Sequence, residues 1–367
     1  MDLELTPEQH ELRVLAAELL ASRVPPEVPR EFLEGGGDVS ELWGELAQLG
    51  WYSVGLDEDD PFGVPGLVVL AEQLGRVLAP NVLIDVAVAA RVLAVDGSAW
   101  LERLQTRPAP VALAVAEPGA QWDLAALETT VAGSRVSGTK IAVPHGAAVE
   151  MFAVAAMLDG APALALVQAN ADGIEVVPEH GLDPTARSAR LLLDDVEADS
   201  IVAGEVIQHA FAVGAVATAA EAVGAASAAL DLAIAYARER EQFGRAIGSF
   251  QAVQHILADA HVLRETTWSA VLYAAAALDE DAPDAIEATT IAKAYASRAA
   301  RTVVQHALQV FGGIGFTWEH DLHLFLRRVL ACEQRFGDAL LHERRLAAAL
   351  VTRAEERRAM TSGRSVR

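Results

Sequence analysis

Two short stretches of this 367-residue chain bring together side chains whose types and spacing could do chemistry. The first, YAREREQFGRAIGSFQAVQH (Tyr236–His255), follows an almost uncharged, alanine-rich run and is itself dense in Arg, Glu and Gln. Arg238 and Arg240 end a helical pattern, where cations offset the negative end of the helix dipole. Dipole compensation asks for nothing more, yet Phe243-Gly244 adds a tight turn and Ile247–Gln251 starts a second helix. The second stretch, QVFGGIGFTWEHDLHLFLRR (Gln309–Arg328), pairs Gly312 with Gly313. Paired glycines let a backbone approach a bulky partner closely. This GGxG run follows a helix, not a strand, so it is not the dinucleotide fingerprint. His320 and His323 resemble a metal pair but have no third ligand nearby, and they read as surface or subunit contacts.

The rest of the chain must position these residues. At 52% hydrophobic residues there is ample material for a large core, and the length predicts two or three domains. A net charge of −23 argues against nucleic-acid binding, which asks for a basic face. Cys332 is the only cysteine, which excludes an intrachain disulfide and thiolate metal clusters and fits a reducing compartment; no metal is expected. The opening MDLELTPEQHELR has no signal-peptide pattern and reads as a helix start: Thr6 as N-cap, Pro7 in the first turn, Gln9 three residues on. Ala210–Ala237 is apolar enough to suggest a membrane span, but Glu221 and Asp231 interrupt it, and it reads as a buried bundle helix.

Three textures follow one another. Residues 1–106 read as an N-terminal helical domain, with Leu42, Trp43, Leu46 and Leu49 at helical spacing before Gly50 and a second helix from Gly66 stopped at Pro80. An acidic Pro/Gly turn region, Asp57–Gly66, separates the two. Residues 107–203 carry short apolar or alternating runs punctuated by Gly, Pro and Asp, a β domain of antiparallel meander character. Residues 204–367 return to long helices, Gln208–Glu241, Phe250–Leu278, Asp284–Val310 and a split Glu319–Arg358, a helical bundle with a frayed tail at Ser362–Arg367. The fold class is α+β.

Taken together, ARERxQFGxxIxxFQ, the QxxGGxGFTWEHDLHLxxRR segment about 60 residues later and the helix–β–helix order resemble the acyl-CoA dehydrogenase family over essentially the whole chain. That resemblance implies an FAD enzyme that oxidises acyl-CoA thioesters to α,β-enoyl-CoAs. A carboxylate removes the α-proton and the β-hydrogen leaves as hydride to the flavin. The flavin is expected between the β domain and the C-terminal four-helix bundle, with its pyrophosphate and adenosine contacted by a neighbouring subunit. Arg240 matches the family's phosphate-contacting arginine, whose fork gives two charge-assisted hydrogen bonds. Gln242, Phe243, Phe250 and Gln251 match FAD-contact positions, and Gln309, Gly312 and Gly313 match the adenosine-side segment.

The residues that would hold this chain's own flavin depart from the family. Where relatives resemble TEPGAGSD, this chain reads AEPGAQWD: Ala116 has no hydroxyl and Trp122 replaces a small serine. Where relatives resemble WITN, it reads AVPH, with Ala142 in place of the aromatic and Pro144 in place of the hydroxyl. The usual base position, 24 residues after Gly312, is Phe336; the second, 26 residues before Arg240, is Gly214, followed by Ala215 where relatives have arginine. Neither takes a proton, and a positioned base contributes roughly 10²–10⁴ in rate. Glu333 and Glu221 are the candidates for a relocated base.

Contacts to a neighbour's cofactor are kept while contacts to the chain's own flavin are lost. This layout resembles the base-lacking subunit of heteromeric α₂β₂ bacterial steroid dehydrogenases, and implies a partner acyl-CoA dehydrogenase chain that carries the catalytic Glu. Two other readings stay open: a self-sufficient homotetramer with a relocated base, and a non-catalytic assembly or acyl-CoA-binding protein. The expected location is cytoplasmic.

Overall fold

The computed structural model describes residues 4–56, 60–95, 100–106, 111–119 and 122–363. Helix α1 (Pro7–Arg23) starts as the sequence reads: Gln9 N–H donates to Thr6 Oγ1 at 3.3 Å and Thr6 N–H to Gln9 Oε1 at 3.1 Å, a closed capping box. Helices α2 (Glu27–Leu33) and α3 (Ser40–Gln48) follow. Trp43 and Leu46 of α3 are buried, but Leu49 is 54% exposed, because the chain turns at Gly50 in the left-handed region before Leu49 reaches the core. Helix α4 (Gly63–Arg76) begins three residues earlier than Gly66 and ends short of Pro80. Leu78 already has a positive φ, so Pro80 follows the stop and does not cause it. Helices α5 (Leu83–Ala94) and α6 (Trp100–Thr106) complete the region. The division expected at 106/107, the first three residues of the acidic turn (57–59), and the last four residues of the expected frayed tail lie outside the described residues, while the end of that turn region, from Gly63, is already helix α4. Ser362 and Gly363 are the end of the last helix.

The β region is an eight-stranded sheet: β1 (Ala112–Ala114), β2 (Thr130–Ala132), β3 (Arg135–Val143), β4 (Met151–Leu158), β5 (Ala161–Gln168), β6 (Ile174–Pro178), β7 (Ala189–Glu197) and β8 (Ser200–Ala203). The order is β6-β7-β3-β2-β4-β5-β8, with β1 beside β4. Most pairs are antiparallel, but this is not a simple meander. β1 and β2 are three residues each, too short to fill an edge, and both lie parallel along the same edge of β4. Lys140 of β3, fully buried, donates to Glu117 Oε1 at 2.6 Å and to Val115 O at 3.1 Å, and Glu117 also accepts the Thr129 N–H. The Glu of the AEPG run is thus a knot joining the β1–β2 connection to β3.

Helix α7 (Glu205–Glu239) is the axis of the C-terminal region. Among the described residues it is the one helix long and apolar enough to cross a membrane, yet its apolar window is 94% buried within the protein. Its small residues let neighbours close in. A Cβ on Gly224 would sit 1.9 Å from Glu72 O, and one on Gly75 2.1 Å from Glu221 O, so α4 and α7 cross backbone to backbone. A two-residue strand pair, β9 (Glu241–Gln242) and β10 (Arg245–Ala246), leads to α8 (Gln251–Asp279), α9 (Ala285–Phe311), α10 (Leu322–Gln334) and α11 (Ala339–Gly363). One core joins the N-terminal helices, the sheet and α7–α9; a second lies among α7, α8, α9 and α10.

Candidate functional site

The first motif is an outward-facing hairpin. Gln242 pairs with Arg245 and Glu241 with Ala246, leaving Phe243-Gly244 as a two-residue turn. Both have positive φ (54° and 78°), the geometry that matches strand twist in such hairpins. Glycine or asparagine usually fills such positions, so a phenylalanine there is strained. It is also 93% exposed. Strain and an exposed ring together have no explanation within this chain. Arg245 lies over Phe250, its Cζ 4.0 Å from the ring centroid, and Phe243 meets Phe250 edge-on at 6.1 Å. Arg240 is pinned through its backbone: its N–H donates to Tyr236 O and its carbonyl accepts from Ile247 N–H, both at 2.8 Å. Its exposed guanidinium meets no carboxylate among the described residues.

The glycine segment is equally open. Gln309, Gly312 and Gly313 are exposed, as are Ile314, Phe316 (67%) and Trp318 (56%). Gly312 has φ +63° and ψ −141°, a conformation open to glycine alone. Gly313 differs: its φ is not left-handed and a Cβ there would meet nothing within 4 Å. The chain's own fold does not require a glycine at 313, and the bare backbone there is open to close approach from outside. Of the eight residues matched to FAD contacts, seven are exposed and Phe250 is half-buried. The structure brings their two segments together: Tyr236, one turn before Arg240, stacks on Phe311, the residue before Gly312, with centroids 4.3 Å apart. His320 and His323 are engaged by rings, His320 tilted on Phe311 and His323 stacked on Trp318.

The interior is the opposite case. Phe336 and Gly214, the two positions where the resemblance puts the base, touch: a Cβ on Gly214 would lie 2.4 Å from the Phe336 ring. Phe336 is 3% exposed and packs against Trp122 (centroids 4.7 Å) and Phe211 (5.7 Å). Trp122 in place of a small residue, Phe336 in place of a base and Gly214 making room for the ring are three parts of one aromatic plug. Pro144 is buried, while Ala142, where relatives carry an aromatic, is exposed with φ +51°. Asp338, a carboxylate just beyond Phe336 that sequence reading passed over, accepts Leu341 N–H at 2.8 Å in the first turn of α11.

Neither relocated-base candidate faces open space. Glu221 Oε1 accepts from Arg328 Nη1 at 2.8 Å and Asn81 Nδ2 at 3.4 Å. Arg301 Nη1 lies 3.1–3.2 Å from both carboxylate oxygens of Glu333. Beside Glu221 is a cavity of about 40 Å³, also lined by His145, Asp183, Arg328 and Arg335, enough for a water molecule and not for a ligand.

Arg328 is the centre of this interior and was missed in the sequence. Its position on the apolar stripe of α10, between Phe325 and Cys332, was the available signal. Its Nε donates to Asp183 at 2.5 Å and its Nη2 to Thr185 Oγ1 at 2.6 Å, while both Nη atoms reach Ala79 O and one reaches Leu78 O. One guanidinium thereby ties α10 to α7, to the segment after α4 and to the loop before β7. Arg335 makes a parallel tie, donating to Asp85 Oδ2 at 2.7 Å, while Asp85 Oδ1 accepts from Leu113 N–H. Burial pushes Asp85 up, and the Arg335 charge opposes that rise.

Two buried histidines make this interior acid-sensitive. Burial, aided by the Arg328 and Arg335 charges, lowers His145 from 6.5 to about 3. Burial, aided by Lys293, lowers His342 to about 4; its Nε2 lies 3.0 Å from Phe336 O. In the unfolded chain both take protons near their usual pKa, so between about 6.5 and the depressed values the unfolded state binds more protons. Their contribution to stability is present above the unfolded pKa and is lost as pH falls. The urea midpoint should drop between pH 7 and pH 4.5, and less steeply in His342→Gln. An identical slope in that variant would show that His342 is not buried neutral.

An acyl-CoA dehydrogenase C-terminal domain model matches residues 203–351. The chain is 32% identical over 322 residues to the acyl-CoA dehydrogenase FadE34 of Mycobacterium tuberculosis, covering 86% of this chain and 43% of FadE34. It thus spans less than half the length of that relative. Among solved structures, the Tcur3481-Tcur3483 steroid ACAD superposes with a TM-score of 0.85 at 30% identity, covering 95% of this chain and 99% of that one. The ChsE4-ChsE5 complex from Mycobacterium tuberculosis gives 0.86 at 27% identity, covering 96% and 99%.

Proposed function

Because this chain belongs to the acyl-CoA dehydrogenase family, we propose that it completes the FAD site of a catalytic partner subunit in the α,β-dehydrogenation of acyl-CoA thioesters. One observation carries this reading: the two base positions meet as Phe336 against Gly214 in a closed interior, while the hairpin and glycine segment are open. The fit of FAD therefore divides. The flavin ring does not fit this chain's own cleft, which Trp122, Phe211 and Phe336 fill. The adenosine and pyrophosphate of a flavin held by a neighbour do fit the outer surface. There Arg240 offers an unpaired guanidinium fork for phosphate. Gln242 and Gln251 offer amides, Phe243 and Phe250 offer ring faces, and Gln309, Gly312 and Gly313 form an open edge. FAD supplies the hydride acceptor; the partner supplies the carboxylate.

The ChsE4-ChsE5 complex, whose name joins two chains, supports a heteromer, and the Tcur3481-Tcur3483 steroid ACAD supports a steroid acyl thioester over a fatty acyl one. FadE34 is more than twice the length of the segment matched here, enough for a second unit of this size. The CoA chemistry of the family suits the cytoplasm. Purified alone, the chain is expected to hold little FAD and to turn over no acyl-CoA. Co-expressed with a Glu-bearing dehydrogenase chain, it should co-purify with flavin and activity. Stoichiometric flavin and robust turnover in the isolated chain would sink the proposal.

A further inference from the structure

The outer surface comes from two segments about 70 residues apart in sequence, and its use depends on how they are held to one another. The Arg240 half sits at the end of α7, fixed by the Tyr236 carbonyl, by Ile247 N–H and by Gly248, whose missing Cβ would lie 2.8 Å from Ala237 O. The glycine half sits at the end of α9. The ring contact between them is face to face: Tyr236 on Phe311, interplanar angle 14°, with His320 also against Phe311, tilted, at 4.4 Å. Phe311 is buried although Gly312 and Gly313 beside it are exposed. A second tie comes from α2. Arg30 Nη2 donates to Glu319 O at 2.7 Å, Nη1 to Trp318 O at 3.3 Å, and Nε lies 2.5 Å from Asp321 Oδ1. One side chain thus holds three residues, Trp318, Glu319 and Asp321, of the loop that carries Phe316 and Trp318.

We propose that the Tyr236–Phe311 stack, braced by Arg30, is the positioning device that sets the arginine half and the glycine half at the spacing of one adenosine diphosphate. This rests on the reading of the surface as an FAD-completing one. Tyr236 and Arg30 touch no nucleotide themselves; they act through Arg240 and through Gly312–Gly313. Without the stack, the last turns of α7 and α9 lose one of the contacts that set their spacing, and a ligand that needs both must do more of the ordering on binding, which weakens affinity. An aromatic pair of this kind contributes enough for about a three- to ten-fold effect.

The probe is ADP, titrated onto the isolated full-length chain and followed by saturation-transfer NMR, alongside urea unfolding. Wild type should bind ADP and Arg240→Gln should not. Tyr236→Leu should bind about three- to ten-fold more weakly, Tyr236→Phe within about two-fold of wild type, since it keeps the ring. Arg30→Met, at a side chain one-third exposed, should weaken ADP with little change in the urea midpoint, so the proposal stays testable if Tyr236→Leu folds poorly. If wild type and Arg240→Gln bind ADP alike, or neither binds, the functional reading fails and this inference with it. If only Arg240→Gln loses ADP while Tyr236→Leu and Arg30→Met bind as wild type, the positioning role alone is wrong.

Discussion

Arg328→Met should destabilise the protein by about 3–5 kcal/mol, the usual cost of removing one partner of a buried ion pair. The size of the effect follows from what the substitution leaves behind. Arg328 is 5% exposed and serves Asp183, Glu221, Thr185 and the carbonyls of Leu78 and Ala79. Methionine fills much of its volume but donates nothing, so two buried carboxylates and two carbonyls each lose a donor at once. The Arg328 charge is also what holds the Asp183 carboxyl below its usual range against the opposing effect of burial. Without it, burial dominates and Asp183 should take up a proton nearer neutrality. The loss should therefore be largest near neutral pH and smaller in acid, where the unpaired Asp183 carboxylate is protonated. Arg135→Met, which removes pairs to Asp195 and Glu197 on an exposed strand face, is the control and should change little. Urea midpoints of the two variants, measured at two pH values, check both statements. Equal midpoints would mean that Arg328 is not the tie between the three regions.

The difference between these two arginines explains what the sequence disclosed. Signals confined to one segment were legible: the Thr6–Gln9 box, the Phe243-Gly244 turn, the long helices and the change of texture where the strands begin. Their causes act over a few residues, so residue order contains them. The exposed hairpin was legible for the same reason, since Arg240 to Gln251 is one local motif, whereas its contact with the glycine segment through Tyr236 and Phe311 was not. What stayed hidden depends on distant partners. Arg328 meets Asp183 from 145 positions away and Leu78 from 250, and no local pattern pairs them. The backbone crossing of Gly75 with Glu221 and of Gly224 with Glu72 is equally invisible from either helix alone. Leu49 shows the limit in the other direction: its helical spacing is apolar, yet the turn at Gly50 leaves it exposed. The closed interior lies between these cases. The departures at Ala116, Trp122, Ala142, Pro144, Gly214 and Phe336 were readable one at a time. That Trp122, Gly214 and Phe336 form one plug was not, since it needs three segments from two layers of the fold.

The plug bears most directly on whether this chain could be an enzyme alone, and Phe336→Glu is the substitution that asks. It places a carboxylate where the resemblance puts the base, so a chain lacking only its base should gain turnover. The geometry predicts that it gains none and loses stability instead. The Phe336 ring is packed between Trp122 and Phe211 and fills the space over Gly214, and removing a buried ring of this kind costs about 3–5 kcal/mol. A carboxylate there also enters an apolar cage, which favours its neutral form. Arg335, whose Cζ lies 5.6 Å from the ring centroid, is the nearby cation, and it is already held by Asp85. Capture of the new carboxylate by Arg335 would loosen that tie and still leave no room for a thioester. The double variant Phe336→Glu/Trp122→Ser removes the second ring as well and separates two explanations. If the chain lacks only a base and space, the double variant should bind FAD and show turnover. If the interior ion network has replaced the flavin pocket, it should remain colourless and be less stable still, since Arg328 and Arg335 keep the cleft tied shut. We expect the second result, read from flavin absorbance, the urea midpoint and acyl-CoA-dependent reduction of a dye.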